Sequence, residues 1–263
     1  MGIRTLLATI LAASSLVLSV PGDSRGAPVR VGFVEGAAHT FLVLRDGNAK
    51  AIAHGEWWQV AAGERLEVHL RFRFADGSLS HETFVLNQRR VFTLASYRLV
   101  QRGPSFPRDV DATIERPSGR YTITHRTRGD VQDIVDSGRL DLPDDVYGGS
   151  MLPLLVRNFE PTVAFSVHVV VFTPKPRVVR VDVKRAEDEK FMLGPAERTA
   201  RRYVAHPELR GLTRVLASLT GKTPPDLHIW MAGEAVPSFV RFEGPLYPGG
   251  PVWRIDSAGP RWK

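Results

Sequence analysis

The chain contains no cysteine. That excludes a disulfide framework, a thiolate metal site, a cysteine nucleophile and lipid attachment through an N-terminal cysteine. It also lacks an apolar run of membrane-span length. The longest candidate, Thr5 to Val20, has sixteen residues, short of the about 20 that a spanning helix needs. No repeat of fixed period, low-complexity tract or linker-like stretch interrupts it. Acidic residues are in deficit, with 28 Asp and Glu against 35 Lys and Arg, for a formal charge of +7.

Arg4 followed by Thr5 to Val20 has the form of an export signal, a short basic start and an apolar core. Small residues suited to cleavage occur at Val20-Pro21-Gly22 and at Ser24-Arg25-Gly26-Ala27. The expectation is a signal peptide over residues 1–26, with an uncleaved anchor as the alternative. Residues 27–263 then form a single β-rich domain, exported to the periplasm or the extracellular space. The alternative is two smaller β modules split near Pro104 to Asp111. The basic residues are dispersed, and four acids interrupt the densest cluster, Lys184-Arg185 to Arg202. This describes a solvated basic surface, and no nucleic-acid partner is expected.

What the chain does have is strand periodicity. Leu66 to Phe74 alternates apolar and polar residues without a slip, placing Leu66, Val68, Leu70, Phe72 and Phe74 on one face. Ala75-Asp76-Gly77-Ser78 follows with hairpin chemistry. His81 to Gln88 returns, and Val91 to Val100 runs out again. Arg45-Asp46-Gly47-Asn48 is a second hairpin turn, between His39–Leu44 and Lys50–Trp58. Further strands are expected at Val29–Val34, Val110–Glu115, Arg120–Arg126, Val131–Leu140, Val163–Phe172, Val178–Lys184, Arg198–His206, Leu227–Met231, Ser238–Phe242 and Val252–Ile255.

Two stretches break the β rhythm. In Asp141 to Asn158, Pro143 with Asp144 and Asp145 suits the start of a helical turn. Ser150 suits the cap of a second, with Met151, Leu154 and Leu155 on one face and Pro153 in its first turn. Leu212, Val215, Leu216 and Leu219 give the best helical spacing in the chain, with Gly221 as a stop. The fold class expected is mainly β: an antiparallel curved sheet or barrel, possibly a half-barrel, with one or two short helices.

Three strings carry a resemblance. They are Leu99 to Phe106 following the meander, Leu140 to Met151, and Pro224 to Trp230 with Glu243 to Tyr247 and Gly249 to Arg254. Across roughly Glu35 to Ile255 the chain resembles a family of exported bacterial β-rich domains of unknown function. The resemblance implies an exported β-rich domain. It brings no substrate and no catalytic residue.

The chemistry-bearing residues form no recognisable constellation. The eight histidines are His39, His54, His69, His81, His125, His168, His206 and His228. None has a tight ligand spacing, so no metal site is assigned. His168, inside the most apolar run, reads as a buried, hydrogen-bonded histidine. Gly149-Ser150-Met151 and Gly103-Pro104-Ser105 do not match a nucleophile elbow. Gly221-Lys222-Thr223 lacks the earlier glycine of a phosphate loop. Asp144-Asp145 could be paired catalytic carboxylates, but a helix start explains them. Trp57 and Trp58 must point to opposite sides of a strand. His69, Arg71, Arg73 and Arg98 form a basic stripe on the outer sheet face. No catalytic residue and no cofactor are assigned.

The leading expectation is a non-enzymatic envelope binding module. Its partner would be a lipid or another apolar small molecule, or an envelope protein. An exported enzyme with its site at a barrel mouth, and a purely structural interaction module, are the alternatives. The interior separates them. An apolar cavity favours the carrier, converging polar groups favour the enzyme, and a filled core favours the structural module.

Overall fold

The computed structural model describes residues 26, 28–159, 164–173, 175–208, 224–233, 235–258 and 260–262. The export signal, the expected helix at Leu212–Leu219 and Gly221-Lys222-Thr223 lie outside these residues.

The first eight strands form a meander. They are β1 (Ala38–Arg45), β2 (Ala51–Ala62), β3 (Arg65–Phe74), β4 (Leu79–Gln88), β5 (Phe92–Arg102), β6 (Arg108–Glu115), β7 (Arg120–Thr127) and β8 (Ile134–Arg139). Each pairs antiparallel with the next. Residues 103–107 make a turn within this ladder, and pairing continues from β5 to β6 across the place where the alternative two-module reading put a split. The β3–β4 hairpin turns at Asp76-Gly77, where Gly77 has φ 85° and the Asp76 carboxylate accepts from the Ser78 N–H.

The chain then enters the interior through β9 (Val146–Gly148), a 3-10 turn (Gly149–Met151) and α1 (Leu152–Arg157). It leaves through β10 (Phe165–Val171), β11 (Arg177–Arg185), β12 (Glu189–Leu193), β13 (Ala196–Pro207), β14 (Leu227–Ala232), β15 (Ser238–Gly244), β16 (Trp253–Ser257) and β17 (Pro260–Trp262). The ladder runs from β9 through β10, β11, β13, β14 and β15 to β16. β16 pairs antiparallel with β1, which joins the two halves into one sheet. β12 covers the first part of β13, and β17 pairs with β12. Among the described strands, only the β9–β10 pair is parallel.

The sheet curves but does not close. β8 and β9 are consecutive in sequence, but β8 pairs with β7 and β9 with β10, and no pairing among the described residues joins the two. β8 is largely exposed, while all three residues of β9 are buried. Irregular pairing at Leu44/Arg45, Val85/Leu86 and Trp230/Met231 adds bend where a flat sheet would leave its apolar face open. That face is the concave one. The alternation of β3 holds, with Leu66, Val68, Leu70, Phe72 and Phe74 all in the core.

Two contacts pin β9 inside the curve. The Tyr147 hydroxyl donates to the Phe92 carbonyl (2.8 Å) and accepts from the Val29 N–H (3.1 Å). Burial pushes this phenol up to about 12. Gly148 sits against Phe84, and a Cβ there would come within 2.1 Å of the ring.

The structure corrects several local expectations. Val29–Val34 forms one bridge, Arg30 to Val91, and no strand. Pro143 to Asp145 starts no helix and leads directly into β9. Of the one or two short helices expected, the described residues contain the 3-10 turn and α1, with Pro153 in the first turn of α1. Ser150 caps neither. A closed barrel is excluded, and the curved open sheet stands. No helix among the described residues is long and apolar enough to cross a membrane.

Candidate functional site

The concave face is not completely filled. It encloses a cavity of about 780 Å³. Alternation explains the walls, because inward positions of adjacent strands are apolar. Leu42, Leu70, Leu99, Val169, Val181 and Phe242 contribute one side chain each from β1, β3, β5, β10, β11 and β15. Pro153 and Leu154 of α1 line one side, and the Pro245–Val252 loop lines another. Among the described residues, no histidine and no aspartate lines this cavity.

Two clusters of hydrogen-bonded polar side chains interrupt the apolar lining. The first centres on Glu82. The β3–β4 register places it opposite Leu70, on the inward face. It is 6% exposed. Tyr97 Oη donates to Glu82 Oε2 at 2.8 Å, and Ser150 Oγ donates to the same oxygen at 2.6 Å. Tyr97 comes from β5 and Ser150 from the 3-10 turn, so three segments distant in sequence build the cluster. Burial pushes the Glu82 carboxyl above the ordinary carboxylate range, and the two hydrogen bonds pull it only part of the way back. Burial also pushes the Tyr97 hydroxyl well up, and the facing carboxyl adds to this.

The second group centres on Glu35, which is 3% exposed. Arg157 Nη1 donates to its Oε2 at 3.1 Å, and Gln59 Nε2 donates to the same oxygen at 3.0 Å. Trp57 Nε1 in turn donates to Gln59 Oε1. The Gln88 side chain holds the Glu35 backbone at both its N–H and its carbonyl. Glu35 Oε1 and Arg157 Nε are buried without a hydrogen-bond partner. Ser150 and Arg157, one from each group, are seven positions apart along the 3-10 turn and α1, about 10 Å of backbone rise.

The residues weighed from sequence are mostly dispersed. His69 and His81 meet on the outer face, with Nδ1 to Nε2 at 3.3 Å and His69 stacked on Trp58 at 4.5 Å. Burial lowers the His81 imidazole, with the charges of His69, Arg71 and Arg98 adding to that. No group of three potential metal ligands occurs among the described residues. His168 Nδ1 lies 2.8 Å from Asp145 Oδ2 and is partly exposed. Asp144 and Asp145 part company: Asp144 is exposed and pairs with Arg116, whereas Asp145 is buried against His168. Trp57 faces the cavity and Trp58 the outer surface, as strand alternation requires. Part of the basic stripe is compensated, since Arg71 pairs with Glu56, Arg98 with Asp111 and His69 with Glu67.

Glu82 and Glu35 match no motif in the sequence. Register carries the signal for Glu82: the Asp76-Gly77 hairpin sets it opposite an inward leucine. No family model, no curated protein and no solved structure matches this chain.

Proposed function

We propose that the protein is a non-enzymatic binding module holding an apolar or amphipathic small molecule inside its curved sheet. The observation that carries this is the cavity. Its volume of about 780 Å³ lies within the about 300–1,000 Å³ of small-molecule sites. Its lining also has the composition of such sites, predominantly apolar with a few placed polar groups. A protein acting only through its surface has no use for this space, because interiors otherwise pack densely. Lipid is the ligand class that fits an apolar enclosure with a polar end. The sequence pattern of the N-terminus supports export, which puts the module in the envelope or outside the cell, where an envelope protein could deliver or receive its cargo.

The Ser150–Glu82 hydrogen bond favours one other reading, a hydrolase acting on an ester. A serine nucleophile needs a base oriented for its proton. Here the carboxyl is shared with Tyr97, and no imidazole lines the cavity. The binding reading is therefore preferred.

Native mass spectrometry of the protein purified gently from its own host tests both. A retained lipid of defined mass is the expected result. A clean apo mass, unchanged after incubation with host lipid extract, overturns the binding reading. Turnover of a lipid ester that is abolished in Ser150→Ala would replace it with the hydrolase.

A further inference from the structure

The Glu82 cluster is incomplete in a specific way. Both donors, Tyr97 Oη and Ser150 Oγ, are spent on Oε2. Oε1 receives no hydrogen bond from any described residue. The side chain is more than nine-tenths buried and lines the cavity. An acid oxygen accepting two hydrogen bonds while its partner accepts none has the pattern of a neutral carboxylic acid. In that form Oε2 would be the carbonyl oxygen, leaving Oε1 to carry the proton as a donor.

The surroundings agree with that protonation state. A carboxylate enclosed by hydrocarbon without a cation is strongly disfavoured and neutralises instead. Among the described residues, the nearest elements supply no cation. Leu70 stands opposite on β3, Tyr97 on β5, and Ser150 on the 3-10 turn. Among the described residues, the one arginine lining the cavity, Arg157, is paired with Glu35. Among the described lining residues, the charges of Arg157 and Glu35 offset each other, and Glu82 faces no cation.

We propose that Glu82 is the head-group recognition residue of the cavity, donating a hydrogen bond from a protonated Oε1 to a carbonyl or hydroxyl oxygen of an uncharged lipid. This rests on the binding reading above and narrows it to a ligand class. A free fatty acid would bring a negative charge with no free cation among the described lining residues to meet it. A lipid amine would need Glu82 ionised, against both its burial and its hydrogen-bond pattern. An ester, amide or alcohol supplies the acceptor that Oε1 lacks and brings no charge.

The test uses three probes with the same acyl length: 1-monolauroylglycerol, laurate and dodecylammonium. Each is titrated at neutral pH into the full chain, Glu82→Gln and Glu82→Leu. Glutamine keeps a donor at one position and an acceptor at the other, whereas leucine keeps only the shape. The monoacylglycerol should bind tightest, about equally to wild type and E82Q, and about tenfold more weakly to E82L. Preference for dodecylammonium that disappears in E82Q overturns the proposal, because it requires an ionised Glu82. Preference for laurate, or monoacylglycerol binding unchanged in E82L, also overturns it while leaving the binding reading intact. Failure of all three probes to bind overturns the binding reading itself. Should E82L not fold, infrared difference spectroscopy of wild type and E82Q decides. A protonated-carboxyl stretch that is absent in E82Q and shifts on adding the monoacylglycerol supports the proposal, and its absence from wild type overturns it.

Discussion

Ser150 Oγ lies 2.6 Å from Glu82 Oε2, joining the turn that leads into α1 to the inward face of β4 across 68 positions of chain. This bond gives a serine placed at a helix start a different task from capping. It also makes the Glu82 carboxyl sensitive to a side chain on another segment.

Glu82 should leave a signature in the pH dependence of stability. Its folded value is raised above the ordinary 4.5, so the native state holds a proton that the unfolded chain releases. Its contribution is fully present below the unfolded value and is lost as pH rises through the raised folded value. Urea midpoints of wild type relative to Glu82→Gln should therefore fall on going from about pH 4 to about pH 8. The Ser150 hydrogen bond opposes the shift, so Ser150→Ala should move the fall to higher pH and cost about 1 kcal/mol besides. Parallel pH profiles for wild type and E82Q would contradict the burial of an ionisable Glu82.

The Gly148–Phe84 approach should tolerate no side chain. A Cβ on Gly148 would lie 2.1 Å from Phe84 Cε1, and Phe84 is completely buried and stacked on Tyr97. The ring therefore cannot swing aside freely. Gly148→Ala should destabilise by about 1–3 kcal/mol through overpacking. Trimming the ring should relieve part of this, so the loss in G148A should be smaller on a Phe84→Leu background. Equal losses on both backgrounds, measured by denaturant unfolding, would place the strain elsewhere.

The parts of the fold legible in sequence are those where one local rule acts alone. β3 alternates strictly because one face is buried and the other solvated, and the Asp76-Gly77 turn fixes its partner. Pro153 marks the start of α1 because a missing N–H costs nothing there. β9 was hidden because it pairs in parallel with β10, a contact between residues about twenty apart that no alternation announces. Pro143-Asp144-Asp145 carries helix-start chemistry, yet Asp145 is drawn into the interior by His168. The site was hidden for a related reason. Glu82 reads as one polar residue in a return strand until the hairpin register is carried inward to Leu70. Its partners Tyr97 and Ser150 then come from tertiary packing, as does the approach of Arg157 to Glu35.

The Glu35–Arg157 pair should be asymmetric to mutation. Glu35 is 2% exposed in its side chain and Arg157 is 28% exposed. Removing the arginine leaves a buried carboxylate with only Gln59 to hold it, since Oε1 already lacks a partner. Removing the carboxylate charge leaves a guanidinium that can still reach water. Breaking a fully buried pair costs about 3–5 kcal/mol, and the partial exposure of Arg157 reduces that to about 2 kcal/mol for Arg157→Met. Glu35→Gln should cost less, because the amide oxygen can still accept from Arg157 and Gln59. The double substitution should be more stable than the sum of the two losses, since each charge removed takes away the reason for keeping the other. Chemical denaturation of the four proteins closes this cycle. Strict additivity would mean that Arg157 and Glu35 are not coupled, and would remove the electrical balance on which the preference for an uncharged ligand depends.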